Sequence, residues 1–126
     1  MRTSQDPRHV RRQHIVQEIF STEFREQKVS SDTRDVLAHL PLLDKQIQKA
    51  APDFPVDKIN KIDLAILRLA AYEMLVEKKA PQNVIIDEAV ELAKEFANDS
   101  SPSFVNGVLG HITTSINSKY EIRNLK

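Results

Sequence analysis

Apolar residues recur along this chain at spacings of three and four, the signature of amphipathic helices whose inner faces share a core. Val10, Val16, Ile19, Phe20 and Phe24 define a first stripe, which predicts a helix reaching about Glu26. Asp6-Pro7 supplies its start, a capping carboxylate followed by a proline whose missing N–H is not needed in a first turn. Val29-Ser30-Ser31-Asp32 interrupts the pattern and offers new caps, after which Val36, Leu37, Leu40, Leu43 and Ile47 resume it. Pro41 removes a backbone donor and disfavours helix at Leu40, so a kink or two short helices are expected there.

Two prolines three apart make residues 51–57 a linker between two helical halves, about 8–50 and about 58–118, with flexible ends. The second half opens at Asn60 or Lys61 and is expected to bury Ile62, Ala65, Ile66, Leu69 and Ala70 on the way to Leu75. After Ala80-Pro81-Gln82-Asn83 the next helix is expected to bury Ile86, Ala89, Val90, Ala93 and Ala97, stopping at Asn98-Asp99-Ser100. Ser101-Pro102 gives another start, and Val105, Val108, Leu109, Ile112 and Ile116 mark the inner face of the last helix. Gly107 and Gly110 lie inside it, each costing up to about 1 kcal/mol relative to alanine, which predicts close helix contact in compensation.

Composition narrows the function classes. The 126 residues suffice for one domain with a core, and 40% hydrophobic and 29% charged content is ordinary for a soluble protein. Two glycines leave no material for a phosphate-cradling loop, and the absence of cysteine excludes disulfides, thiolate catalysis and cysteine-bound zinc. No signal-like or membrane-spanning run is visible, so a cytoplasmic protein without a membrane association is expected. The four histidines show no ligand pairing at helical i, i+4 spacing, and no serine stands in a nucleophile elbow. Asp87 and Glu88 are adjacent and cannot face each other across a cleft, so neither enzyme activity, metal nor cofactor is expected.

Formal net charge is zero, yet residues 1–14 hold Arg2, Arg8, Arg11 and Arg12 against Asp6 alone. Asp87, Glu88, Glu91, Glu95 and Asp99 form an acidic run relieved in sequence only by Lys94. Each patch could attract its own partner although the total cancels.

The wording of the second half adds a resemblance. Ile62-Asp-Leu-Ala-Ile-Leu-Arg-Leu-Ala-Ala-Tyr-Glu73, Pro81 with Val84-Ile-Ile-Asp-Glu-Ala-Val-Glu-Leu-Ala-Lys-Glu-Phe96, and Phe104-Val-Asn-Gly-Val-Leu109 closely resemble, in order and spacing, the C-terminal half of the NusB family. Arg8 to Ser21 resembles that family's arginine-rich opening helix, with Arg8, Arg12, Val16 and Gln17 fitting directly. His9 and Val10 stand where arginine is usual, Phe20 where tyrosine is common, and Phe24 to Ser31 is a shorter connection than the family's. The resemblance implies an all-α, NusB-like bundle of two packed helical subdomains with a shortened N-terminal half. It also implies a non-catalytic RNA-binding factor in transcription antitermination on ribosomal RNA, holding boxA-like RNA together with the ribosomal protein NusE within an RNA polymerase antitermination complex.

The candidate residues follow. Single-stranded RNA is held by cations on phosphates and by stacking or edge contacts to bases. Arg2, Arg8, Arg11 and Arg12 suit the phosphates, and His9 or Gln13 the bases. Arginines at a helix start oppose its dipole, which weighs against their being mere solvated surface. Three phosphate contacts would give a slope of log affinity against log salt of roughly −2. Tyr72 and Glu73, with Glu88 and Glu91, are the candidates for the protein partner, against the plainer readings of a core tyrosine and a solvated acidic face. The alternative function is a protein-interaction module on the same scaffold with weak or lost RNA binding. A homodimer could cover faces left open by the shortened first half.

Overall fold

The computed structural model describes residues 6–124, with side chains described to residue 118. Six α-helices follow one another: α1 (Pro7–Thr22), α2 (Ser31–Leu37), α3 (Leu40–Ala50), α4 (Lys61–Tyr72), α5 (Gln82–Phe96) and α6 (Ser101–Asn124). A 3-10 turn, Val56–Lys58, precedes α4 and a π-helical turn, Glu73–Glu77, follows it. Among the described residues there is no strand, and no helix is long and apolar enough to cross a membrane.

The starts of the helices obey local rules. Asp6 caps α1 through the Arg8 N–H, and Ser30 caps α2 through the Thr33 N–H. Asn60 Oδ1 accepts from the N–H groups of Ile62 (2.9 Å) and Asp63 (3.4 Å) at the start of α4. Pro41 sits in the first turn of α3, so the expected break falls there and yields two helices. The linker is fastened by Gln48, which donates to the carbonyls of Ala51 and Phe54 and accepts from the Val56 N–H.

Helix α4 is the centre. Every residue from Asp63 to Ala71 is buried, because α1, α3, α5 and α6 all pack around it. Ile15, Val16 and Ile19 of α1, Leu43 and Ile47 of α3, Ile85 and Leu92 of α5, and Val105 and Leu109 of α6 close one continuous core on it.

Three expectations are corrected. Helix α1 stops at Thr22, and its inward line runs through Ile15, leaving Val10 42% and Phe24 66% exposed. In α5 Ala89 and Ala93 are buried as expected, but the rest of the buried line is Ile85, Glu88 and Leu92, and the expected Ile86, Val90 and Ala97 are only half-buried. A Cβ built at Gly107 or Gly110 meets nothing within 4 Å, so no close helix contact compensates these glycines.

Asp63 is an acid in the first turn of α4, where the helix dipole favours it, yet it is buried. Burial pushes its carboxyl above the usual range, with Ser101 at the start of α6 pulling the other way.

Three measurements test this account. Gly107→Ala and Gly110→Ala should each raise stability by about 0.5–1 kcal/mol in urea unfolding. Leu69→Ala, at a fully packed α4 position, should cost about 2–5 kcal/mol. The raised Asp63 carboxyl favours the fold while protonated, and that contribution is lost as pH rises through its folded value. Asp63→Asn should therefore be more stable than the wild type at pH 7, with the gap closing as the solution is acidified toward the ordinary aspartate range.

Candidate functional site

The first two turns of α1 divide their basic residues between exposed positions, Arg8 and Arg11, and buried ones, His9 and Arg12. Arg8 points to solvent with its side chain 84% exposed, 3.5 Å from Asp6 Oδ2. The Arg8 N–H bond to Asp6 Oδ1 (2.9 Å), reinforced by the guanidinium, holds the Asp6 carboxyl below its usual range. Arg11 is partly exposed, with Nε donating to Asp32 Oδ2 of α2 at 3.0 Å and Nη2 standing 3.8 Å from Glu77.

Arg12, one residue on, faces inward and keeps only 8% of its side-chain exposure. Its Nε and Nη2 form a fork on Glu73 at 2.9 and 2.7 Å, while Nη1 donates to Glu88 Oε1 at 3.1 Å. His9 lies one turn earlier on the same face and is equally buried. A carboxylate can only accept, so His9 Nε2 carries a hydrogen toward Glu95, at 2.8 and 3.0 Å from its oxygens. His9 Nδ1 stands 3.4 Å from Glu88 Oε2. Gln13 Nε2 reaches Glu95 at 3.4 Å.

The π-turn sets Glu73 at the end of α4. Lys78 N–H donates to the Glu73 carbonyl at 2.8 Å, five residues back, and Lys78 then adopts a left-handed conformation with φ 57° that ends the turn. Nothing in the apolar spacing of residues 62–75 distinguishes this turn from continuing α-helix.

The sequence-predicted residues thus regroup. His9 and Arg12, expected at RNA, and Glu73 and Glu88, expected at a protein partner, meet in one buried network. The picture of an acidic stripe relieved only by Lys94 is corrected: Glu88 is buried against Arg12 and His9, and Glu95 holds His9. Glu91 is half-exposed with Lys94 at 3.5 Å. Tyr72 is half-buried, its ring 5.5 Å from that of His39, and burial followed by the nearby carboxylates of Asp35 and Glu77 pushes its hydroxyl up. Arg2 lies outside the described residues.

Other tethering residues escaped sequence reasoning. Arg68, inside α4, forks onto Asp44 of α3 at 2.9 Å twice and donates to Glu23 beyond α1 at 2.7 Å. Glu18 of α1 accepts from Ser30 and Thr33, fastening α2. An arginine in the middle of the apolar run from Ile62 to Ala71 was the available signal, since a charge buried there requires partners.

Beside the network a cleft of about 530 Å³ opens between the start of α1 and the start of α5, lined by Arg8, Arg11, Arg12, Lys79, Val84 and Asp87 among others. Helix α5 begins behind Pro81 with no side-chain cap and no acid in its first turn, leaving the positive end of its dipole uncompensated there. Among the described residues no group of three or more His, Asp or Glu is arranged to hold a metal ion.

Comparison with known proteins agrees with the fold. The NusB family model matches residues 25–114, a span that begins after α1. The transcription antitermination protein NusB of Chloroflexus aggregans is 37% identical over 111 residues, covering 80% of this chain and 74% of the relative. That of Bacillus subtilis is 43% identical over 104 residues, covering 82% and 76%. That of Roseiflexus castenholzii reaches 49% over 78 residues, covering 60% and 55%. The solved structure of T. maritima NusB superposes with a TM-score of 0.76 at 28% identity, covering 90% of this chain and 93% of that one. A chain in a crystal structure of a plectonemic RNA supercoil shares the fold, with a TM-score of 0.64 at 18% identity over 86% of this chain and 92% of that one.

The buried network should dominate the stability effects of the basic cluster. Arg12→Ala leaves Glu73 and Glu88 without their common guanidinium and should cost about 3–5 kcal/mol, whereas Arg8→Ala should stay within about 0.5 kcal/mol. Paired urea unfolding curves check both; equal losses would mean that Arg12 is not the anchor.

Proposed function

The chain belongs to the NusB family, and from that premise we propose that it works without catalysis as an RNA-binding factor in transcription antitermination. The observation that carries this reading is the division of labour on α1. Arg12 and His9 pin the helix to α5 and the π-turn, while Arg8 and Arg11 present guanidinium groups at the rim of an open cleft. Cations on an immobilised helix lose less freedom when they meet phosphates.

The fuller form of the proposal is a cytoplasmic factor that holds boxA-like single-stranded RNA of ribosomal RNA transcripts together with NusE, inside an RNA polymerase antitermination complex. Arg8 and Arg11, with Arg2 ahead of them, take the phosphates, and Gln13 is the remaining polar side chain of the set that keeps some exposure. Tyr72 and Glu91 offer surface to the protein partner. Glu73 and Glu88 serve that interface through the placement of α1.

A specific observation also favours the second reading, a protein-interaction module with weak RNA binding. His9 and Arg12 are committed to internal carboxylates and Arg11 is shared with Asp32. Titration of boxA-like RNA with this protein, with NusE and with both separates the two. Tight binding in the mixture supports the first; NusE binding that is indifferent to RNA supports the second.

With two phosphate contacts on α1, Arg8→Ala combined with Arg11→Ala should flatten the slope of log affinity against log salt by about 1.4 while the unfolding midpoint changes little. A slope equal to that of the wild type would remove the arginines from the interface.

A further inference from the structure

The cleft beside α1 contains a cation that no reading of the N-terminal cluster includes. Lys79, from the connection between the π-turn and α5, lines the same cavity as Arg8 and Arg11, 67 positions away in sequence from Arg12. It is exposed, and among the described residues no carboxylate lies within ion-pair distance of its ammonium group, whereas Arg8 is drawn to Asp6 and Arg11 to Asp32. Across from the arginines, Ala80, Pro81 and Val84 form an apolar ledge, with Val84 40% exposed.

The charge of the lining limits what can enter. The four cations Arg8, Arg11, Arg12 and Lys79 are opposed by five carboxylates, Asp6, Glu73, Glu77, Asp87 and Glu88, so a small free anion meets more repelling groups than attracting ones. A nucleotide spreads the same negative charge differently. Its phosphate can stay at the cationic rim while a flat apolar ring, bearing hydrogen-bond donors on its edge, goes inward. A cavity of about 530 Å³ is of the size that accommodates small organic ligands.

We propose that the α1–α5 cleft takes one nucleotide of a bound single-stranded RNA, its phosphate bridged between Arg8 and Lys79 and its base laid on Pro81 and Val84. Asp87, exposed at the cleft wall, accepts from an exocyclic amine of that base, which selects adenine, cytosine or guanine over uracil. The inference rests on the RNA-binding reading above and adds the position of one base, a second cationic wall and a source of base preference.

The test uses the full chain and short unstructured oligoribonucleotides, mixed adenine and cytosine in one series and uridine only in the other. Affinities are read by fluorescence anisotropy over a range of salt. Lys79→Ala should weaken binding to both series about threefold to tenfold and flatten the log–log salt slope by part of the about 0.7 of one phosphate contact, since Arg8 still holds the shared phosphate. Asp87→Ala should leave the Lys79-dependent part of the slope in place and erase the preference for the amine-bearing series. Both positions are exposed, and an unchanged unfolding midpoint establishes that the fold is retained. If the wild type binds RNA through Arg8 and Arg11 but Lys79→Ala alters neither affinity nor slope, or Asp87→Ala leaves base preference intact, the cleft assignment is overturned. If the wild type binds no RNA, alone or with NusE, the reading beneath it fails instead.

Discussion

The Arg12 guanidinium donates to Glu73 at the end of α4 and to Glu88 in the middle of α5, and the placement of α1 depends on that three-way contact. It joins segments 61 and 76 positions away from it. A fork on one carboxylate and a third bond to another fix both the distance and the rotation of α1 about its axis, which apolar packing alone specifies less sharply. His9, one turn earlier, repeats the tie through Glu95. This rotation turns Arg11, one residue away from Arg12, outward, while Arg8 is exposed at the leading end of the helix.

Such a network is not primarily a source of stability. Removing two or three charges from water costs several kcal/mol each, and their mutual attraction roughly returns what was lost. Its value lies in the penalty on alternatives, because a rotated α1 would break the three bonds of Arg12 to Glu73 and Glu88 and leave those carboxylates buried without it. Arg68 plays the same part inside α4, where Asp44 and Glu23 converge on it. Between the two clusters the core of aliphatic side chains supplies the bulk of the driving force.

The π-turn links this architecture to the cleft. It ends α4 with Glu73 under Arg12 and, through the left-handed Lys78, turns the chain so that Lys79 and Ala80 enter the cleft wall. One local departure from α-helical geometry therefore serves the anchor and shapes the opening beside it.

Local signals settled the helices, their caps and the break at Pro41, since these depend on neighbours within one turn. The all-helical fold was legible for the same reason, and the order and spacing of residues 62–109 carried the family likeness. On α5 the burial of Ala89 and Ala93 was legible, but that of Ile85, Glu88 and Leu92 in place of Ile86 and Val90 was not, because Glu88 is buried for the sake of Arg12 and a hydrophobic pattern counts a glutamate as surface. The basic run at the start of α1 was visible, but its partition into two outward arginines and an inward pair was not. That partition requires charges distant in the chain to find each other, and pairing energies of that kind exist only once the helices have packed; the placing of Lys79 and Arg8 along one cleft likewise follows from the packing of α1 beside α5.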